Sequence, residues 1–546
     1  MSSGFNRRDF LGISGATVMT GVLAGASGQV PLSNSANSPD SAPAQGLLAK
    51  RPNLILFMTD EMRADSLACY GNPVTRTPNF DRLAKEGTRF SNCHVQFPVC
   101  GASRCSLLTG WPTSVRGHRS LQYFLRPEEP NLFRYLRRAG YDVFWYGKND
   151  ALAAQSFYDS VTHWQDSGEA AMMSAMRTMR DLTPGSTAML YSASGDQRST
   201  SDYHNLQSAF KILERKETDR PFCIFLPLIE PHPPYTIPED FYNLYSPSEI
   251  PAPVPPGLKR KPMYHEGIRR YDRLERLDES TFRKIRAVYY GQVSYSDWLM
   301  GELLAELEKT GRDKDTAVFL FSDHGDYAGD YGLVEKWPSG LEDCLTHVPL
   351  IGRVPGGKAG VVAEDMVELY DVMQTALELA GTQAHHTHFA RSLVPQLNGG
   401  NGDPGRAAFS EGGYNIYEPQ CFPWGAGGMY EGKQKLQNEE PLSVSRSSMV
   451  RTRTHKLIVR PQGQSELYSY ASDPQERNNL FGDRSVASVQ AELLNKLLDH
   501  YINTTGVAPS DKDSRDAPPF YPNRPNPIPA DWHRAILDGD QKDHSG

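Results

Sequence analysis

The chain has 546 residues, 39% of them hydrophobic and 22% charged, with a formal net charge of −8. That length exceeds a single hydrophobic core, so a large domain with a smaller companion is expected, and the negative balance gives a nucleic-acid partner no global electrostatic support. The 46 glycines and 40 prolines imply many turns, and the seven cysteines, at 69, 93, 100, 105, 223, 344 and 421, have neither zinc-site spacing nor the look of a disulfide framework.

The first residues read as an address. Asn6-Arg7-Arg8-Asp9-Phe10-Leu11 precedes a weakly apolar run that ends in small residues near Ala24-Gly25-Ala26. Residues 1–30 resemble a twin-arginine export signal, which implies passage through the twin-arginine machinery to the periplasm or the outside. The Gly- and Thr-rich run is too weak for a stable membrane span, which needs about 20 strongly apolar residues. Residues 31–50, rich in Ser, Pro, Ala and Asn, read as a linker.

Four short apolar runs follow: Asn53–Met58, Tyr141–Tyr146, Phe222–Leu226 and Ala317–Phe321. Runs of this kind fill strands buried on both faces. Helical patterns such as Thr77–Ala84 and Asn131–Leu136 lie between them. The alternation predicts an α/β domain over residues 51–400, built on a large mixed, mostly parallel sheet flanked by helices. Past residue 400, Met449–Thr452, Lys456–Val459 and Ser465–Tyr468 predict a small antiparallel sheet, and the stretch through Leu493–Leu498 an amphipathic helix. Together they predict a C-terminal α+β subdomain over residues 401–504. The Pro- and Asp-rich residues 505–546 read as an extended tail.

Each apolar run leads into polar residues: Asp60-Glu61, Gly147-Lys148-Asn149-Asp150, Glu230-Pro231-His232 and Asp323-His324-Gly325. Ligands of open α/β sheets bind beyond the carboxyl ends of the strands, so the four motifs are expected to meet at one edge. Asp60, Glu61, Asp323 and His324 make an oxygen-rich set suited to one hard cation, Ca2+ or Mg2+. Cys100 lies just before a helix predicted to start near Ala102. Free backbone N–H groups and the positive dipole end there would favour a thiolate or a bound sulfate.

Cys100-Gly101-Ala102-Ser103-Arg104, with Leu108-Thr109-Gly110 soon after, resembles the active-site signature of the formylglycine-dependent (type I) sulfatases of the alkaline phosphatase superfamily. The other motifs follow in that family's order over roughly residues 51–480. The resemblance implies that Cys100 is oxidised by a maturation enzyme to formylglycine, whose hydrate is the nucleophile and also touches the metal. It implies that Arg104 holds the modified residue, that Asp60, Glu61, Asp323 and His324 bind the cation, and that Lys148 and Lys336 bind sulfate oxygens. His232 matches a family His near the leaving group. The implied substrate is a sulfated polysaccharide or oligosaccharide.

Two positions depart from the family pattern. Ala102 stands where many members have Pro, and Asp150 where many have His. An ionised Asp cannot donate to sulfate, but it can take a proton from the hydroxyl that must ionise when sulfate is expelled, so Asp150 is a candidate elimination base. His118, Arg119 and His347 are further candidate substrate contacts. The aromatic, Gly-rich stretch from Gly413 through Trp424 to Tyr430 reads as a surface loop with the alternative of stacking on a sugar. Two other functions stay open: a phosphonate monoester or phosphodiester hydrolase of the same superfamily, and an exported carbohydrate-binding protein with a degenerate site.

Overall fold

All four apolar runs are strands, and they lie side by side. β1 (Asn53–Thr59), β3 (Asp142–Tyr146), β5 (Phe222–Pro227) and β6 (Thr316–Ser322) pair in parallel in the order β3-β5-β1-β6. The computed structural model describes residues 51–165, 179–215, 220–423 and 428–508. The expected export signal and linker, Trp424 and nearly all of the expected tail lie outside these residues. Around the central four, β2 (Thr88–His94), β4 (His163–Gln165), β7 (His347–Val348), β8 (Leu350–Arg353) and β9 (Val361–Glu368) complete a nine-stranded sheet. β7 and β8 run antiparallel to their neighbours and the rest are parallel, so the sheet is mixed and mostly parallel.

Strand geometry explains the unbroken apolar runs. Successive side chains point to opposite faces, and both faces are covered. Ile55 and Phe57 of β1 join one core with α1 (Pro78–Glu86), α4 (Ser201–Leu213) and α5 (Glu279–Lys309). Leu54, Leu56 and Met58 join the other, with α2 (Cys100–Thr109), α3 (Leu132–Arg138) and α6 (Asp371–Leu379). β5 and β6 divide in the same way. A polar residue at any of these strand positions would be buried without a partner.

Farther along, β10 (Ala408–Gly412), β11 (Ser447–Arg451), β12 (His455–Val459) and β13 (Glu466–Ser469) form a separate antiparallel sheet. α7 (Glu431–Glu439) lies between β10 and β11 in the chain, and α8 (Ala487–Thr504) follows the sheet. Leu493 and Leu497 of α8 pack on Val450, Leu457 and Leu467. The second sheet is tied to the first by Lys456, whose Nζ lies 2.8 Å from Asp343 Oδ1 and 2.6 Å from Glu476 Oε1.

Candidate functional site

Register brings the two acidic turns together. Thr59 of β1 pairs with Ser322 of β6, so Asp60-Glu61 and Asp323-His324 leave adjacent strands at the same edge. Ser322 fastens the turns, its Oγ accepting from Met62 N at 2.8 Å and donating to Thr59 O at 3.1 Å. Glu61 N donates to Asp323 Oδ1 at 3.2 Å, with Glu61 itself in the left-handed region at φ 67°. A non-glycine residue held there marks a turn fixed by its surroundings.

α2 begins at Cys100 itself, two residues earlier than predicted, with Val99 in extended conformation before it. Cys100 Sγ lies 3.1 Å from His324 Nε2 and 3.5 Å from Asp60 Oδ1. One turn on, Arg104 reaches into the acidic pair, with Nε 2.7 Å from Asp323 Oδ2 and Nη2 2.8 Å from Asp60 Oδ2. Its third donor goes to Lys148 O at 3.2 Å. Arg104 thereby grips one oxygen of each aspartate and leaves each Oδ1 turned toward the shared space, a task the sequence did not suggest.

The other strand ends supply cations. Gly147 ends β3 at φ 138°, and a Cβ there would stand 2.2 Å from Pro227 O. Glycine is therefore required for Lys148 to turn inward, where its Nζ lies 2.9 Å from Asp60 Oδ2 and 3.2 Å from Asp150 Oδ2. Past β5, the Nδ1 of His232 faces Pro233 O and its Nε2 lies 3.2 Å from Lys336 Nζ. Lys336 is also paired with Glu61 and Glu335. A cavity of about 320 Å³ exposes Cys100, Lys148, Asp150, His232 and Lys336 together.

Electrostatics separate the two adjacent carboxylates. Burial pushes Asp60 up, but Lys148 and Arg104 overcome it and hold its carboxyl well below the usual range. Burial pushes Glu61 well up, Lys336 opposes only in part, and Glu335 and Asp326 add to the rise. The Cys100 thiol is pushed well up by burial and by Asp60, despite Lys336 and Lys148. Desolvation and the neighbouring carboxylate thus oppose the helix end, which favours a thiolate. Burial, Lys336 and Lys148 all lower His232, leaving a neutral imidazole.

The donor set could hold a metal ion. Asp60, Cys100, Asp323 and His324 offer ligand atoms within 4.8 Å of one another, as do Asp60, Glu61 and His232. Glu61 Oε2 is buried with no hydrogen-bond partner. A buried carboxylate oxygen left bare is costly, and a cation bound by carboxylates would satisfy it.

Not every candidate joins the cluster. Both ring nitrogens of His118 are engaged, Nδ1 2.8 Å from Tyr123 O and Nε2 3.0 Å from Glu129 Oε1. Arg119 pairs with Glu418, and His347 stacks on His94 with its Nε2 2.8 Å from Ser91 O. Conversely, the stretch read as a surface loop contributes Tyr414 and Tyr430 to the cavity wall. Sequence reasoning also missed Glu335, which is held between Lys336 and Lys433, and the α7 residues Lys433, Gln434 and Gln437.

Comparison with known proteins gives the following. The model of the family described as Sulfatase matches residues 52–382, a span that holds the cluster from Asp60 to Lys336. An arylsulfatase of Clostridium perfringens is 25% identical over 363 residues, covering 60% of this chain and 75% of that protein. An N-acetylglucosamine-6-O-sulfatase of Bacteroides thetaiotaomicron is 24% identical over 516 residues, covering 82% and 86%. Among solved structures, the phosphonate monoester hydrolase of Agrobacterium radiobacter superposes with a TM-score of 0.68 over 83% of this chain and 96% of that one, at 22% identity.

Proposed function

The chain belongs to the sulfatase family, and from that premise we propose that it hydrolyses sulfate monoesters of carbohydrates with a formylglycine hydrate at position 100 and one Ca2+ or Mg2+. The observation that carries this reading is the contact of Cys100 with Asp60 and His324 at the floor of a cavity that also exposes Lys148, His232 and Lys336. The relative named N-acetylglucosamine-6-O-sulfatase supports a sugar ester as substrate.

The hydrate supplies an oxygen nucleophile for sulfur and a second hydroxyl whose ionisation later frees sulfate. Asp60, Glu61, Asp323 and His324 would hold the cation, which would supply positive charge to the sulfate oxygens. Arg104 keeps the two aspartates oriented for it. Lys148 and Lys336 are the fixed positive groups against which charge develops as the ester bond breaks, and such preorganised charge is worth most in a water-poor site. His232 Nε2 accepts from Lys336, so the pair holds a proton for the departing alcohol oxygen. Asp150, beside Lys148 in the cavity wall, takes the hydroxyl proton when sulfate leaves.

Export through the twin-arginine route is supported by Asn6–Leu11, and no described helix is long and apolar enough to cross a membrane. Mass spectrometry of the peptide containing Cys100, combined with sulfate release from defined sulfated saccharides, tests the proposal. The expected result is an aldehyde at position 100 and activity that a chelator abolishes and a divalent cation restores. Cys100→Ala should lower turnover at least about a thousandfold. An active enzyme with an unmodified thiol would overturn the mechanism. The likeness to a phosphonate monoester hydrolase fold favours one second reading; faster cleavage of phosphonate monoesters or phosphodiesters than of sulfates would install it.

A further inference from the structure

The cavity that holds Cys100 contains a second set of buried polar atoms with no task in the chemistry above. α7 turns Lys433, Gln434 and Gln437 toward it, positions that share one helix face. Lys433 has no donor to spare, since its Nζ bonds Val334 O at 2.9 Å, Lys336 O at 2.8 Å and the Glu335 carboxylate. The two glutamines differ. The Oε1 atoms of Gln434 and Gln437 are buried with no hydrogen-bond partner, and Gln437 is only 8% exposed. Both side chains line the cavity, and a turn of each amide decides which of its ends meets it.

A Cβ at Gly432 would stand 2.0 Å from Asp272 Oδ1, so α7 is seated tightly. It also lies outside residues 52–382, the part that the family model matches. The charges nearby are already matched: Lys148 with Asp60 and Asp150, Lys336 with Glu61 and Glu335, and Lys433 with Glu335. A carboxylate on the leaving ring would be desolvated against paired cations, whereas hydroxyl groups can hydrogen-bond the amide ends that line the cavity. The volume, about 320 Å³, is at the small end of ligand pockets and suits one ring rather than a length of polymer.

We propose that Gln434 and Gln437 are specificity-determining residues that read an uncharged terminal sugar, whose hydroxyls donate to the two amides while its sulfate lies against position 100. The assignment rests on the sulfatase reading and names the substrate class within it.

The test compares monosulfated methyl hexosides, the matching uronosides and nitrophenyl sulfate, with wild type, Gln434→Leu, Gln437→Leu and the double variant. Wild type should favour the hexosides. Each single change should lower kcat/KM on them about three- to tenfold, mainly through KM, and the preference over nitrophenyl sulfate should shrink in step. Thermal stability should hold or rise, because bare buried amides are removed. Equal losses on hexoside and nitrophenyl esters, or a wild-type preference for uronosides, would overturn the assignment. Calorimetric binding of a hexoside sulfate to Cys100→Ala separates this from the enzyme reading. Binding that the glutamine changes weaken, with no turnover by wild type, defeats the sulfatase reading alone. Turnover with binding indifferent to both glutamines defeats the assignment alone.

Discussion

At Gly147 the backbone has φ 138° and comes so close to β5 that any Cβ would strike the Pro227 carbonyl. Gly147→Ala therefore forces β3 away from β5 just where Lys148 turns inward. We expect a stability loss of about 1–3 kcal/mol and a fall in kcat/KM of about a hundredfold from the displaced ammonium, read by chemical denaturation and steady-state kinetics. Asp150 makes a different prediction, because its carboxylate is assigned to a late step. Asp150→Asn should release one equivalent of alcohol in a burst and then stop, with no matching sulfate. Loss of the burst as well would show that Asp150 acts before the ester bond breaks.

Single elements carry the next layer of precision. Asp202, in the first turn of α4, accepts from Ile229 N at 2.9 Å and Glu230 N at 2.9 Å, and so fixes the segment that presents His232. Burial pushes its carboxyl up to about 6, against those two hydrogen bonds. The unfolded value is about 3.9, so the folded state holds the proton more tightly. Its contribution to stability is therefore complete below about pH 4 and is lost as pH rises to about 6. Asp202→Asn should flatten the melting temperature of the protein across that window, and Asp202→Ala should cost about 1–3 kcal/mol and lower turnover by loosening His232. The same scale explains what was legible beforehand. β1, β3, β5 and β6 stood out because both faces are covered, and their polar ends located most of the site. β2, with Arg89, Ser91 and Asn92 only half-buried, and β9, with exposed Val362 and Glu364, carry mixed patterns that their tertiary partners decide. Lys433, Gln434 and Gln437 look like the wet face of a helix, and only the seating of α7 against Gly267 and Asp272 tucks them in.

Across the molecule, the second sheet holds the cavity wall in place. Arg460, just past β12, donates to Ser339 O at 2.6 Å, and Trp337 Nε1 donates to Ser443 O at 2.8 Å. Lys456, with no exposed surface, links this sheet to Asp343 and Glu476. Lys456→Met would leave Glu476 buried without its cation, while Asp343 keeps Arg451, and breaking such a buried pair costs about 3–5 kcal/mol. Urea unfolding should register that loss as a shift in midpoint with an unchanged slope.

Asp323 follows Cys100 by 223 residues. A ribosome adding about 5–20 residues each second reaches it roughly 10–45 s after the thiol has been made. Only when β6 docks beside β1 is that side chain sealed to 1% exposure beneath His324 and Asp60. The interval sets a clock for the proposed aldehyde: the folded protein buries the backbone around Cys100, so a catalyst that must grip it has the time before β6 docks.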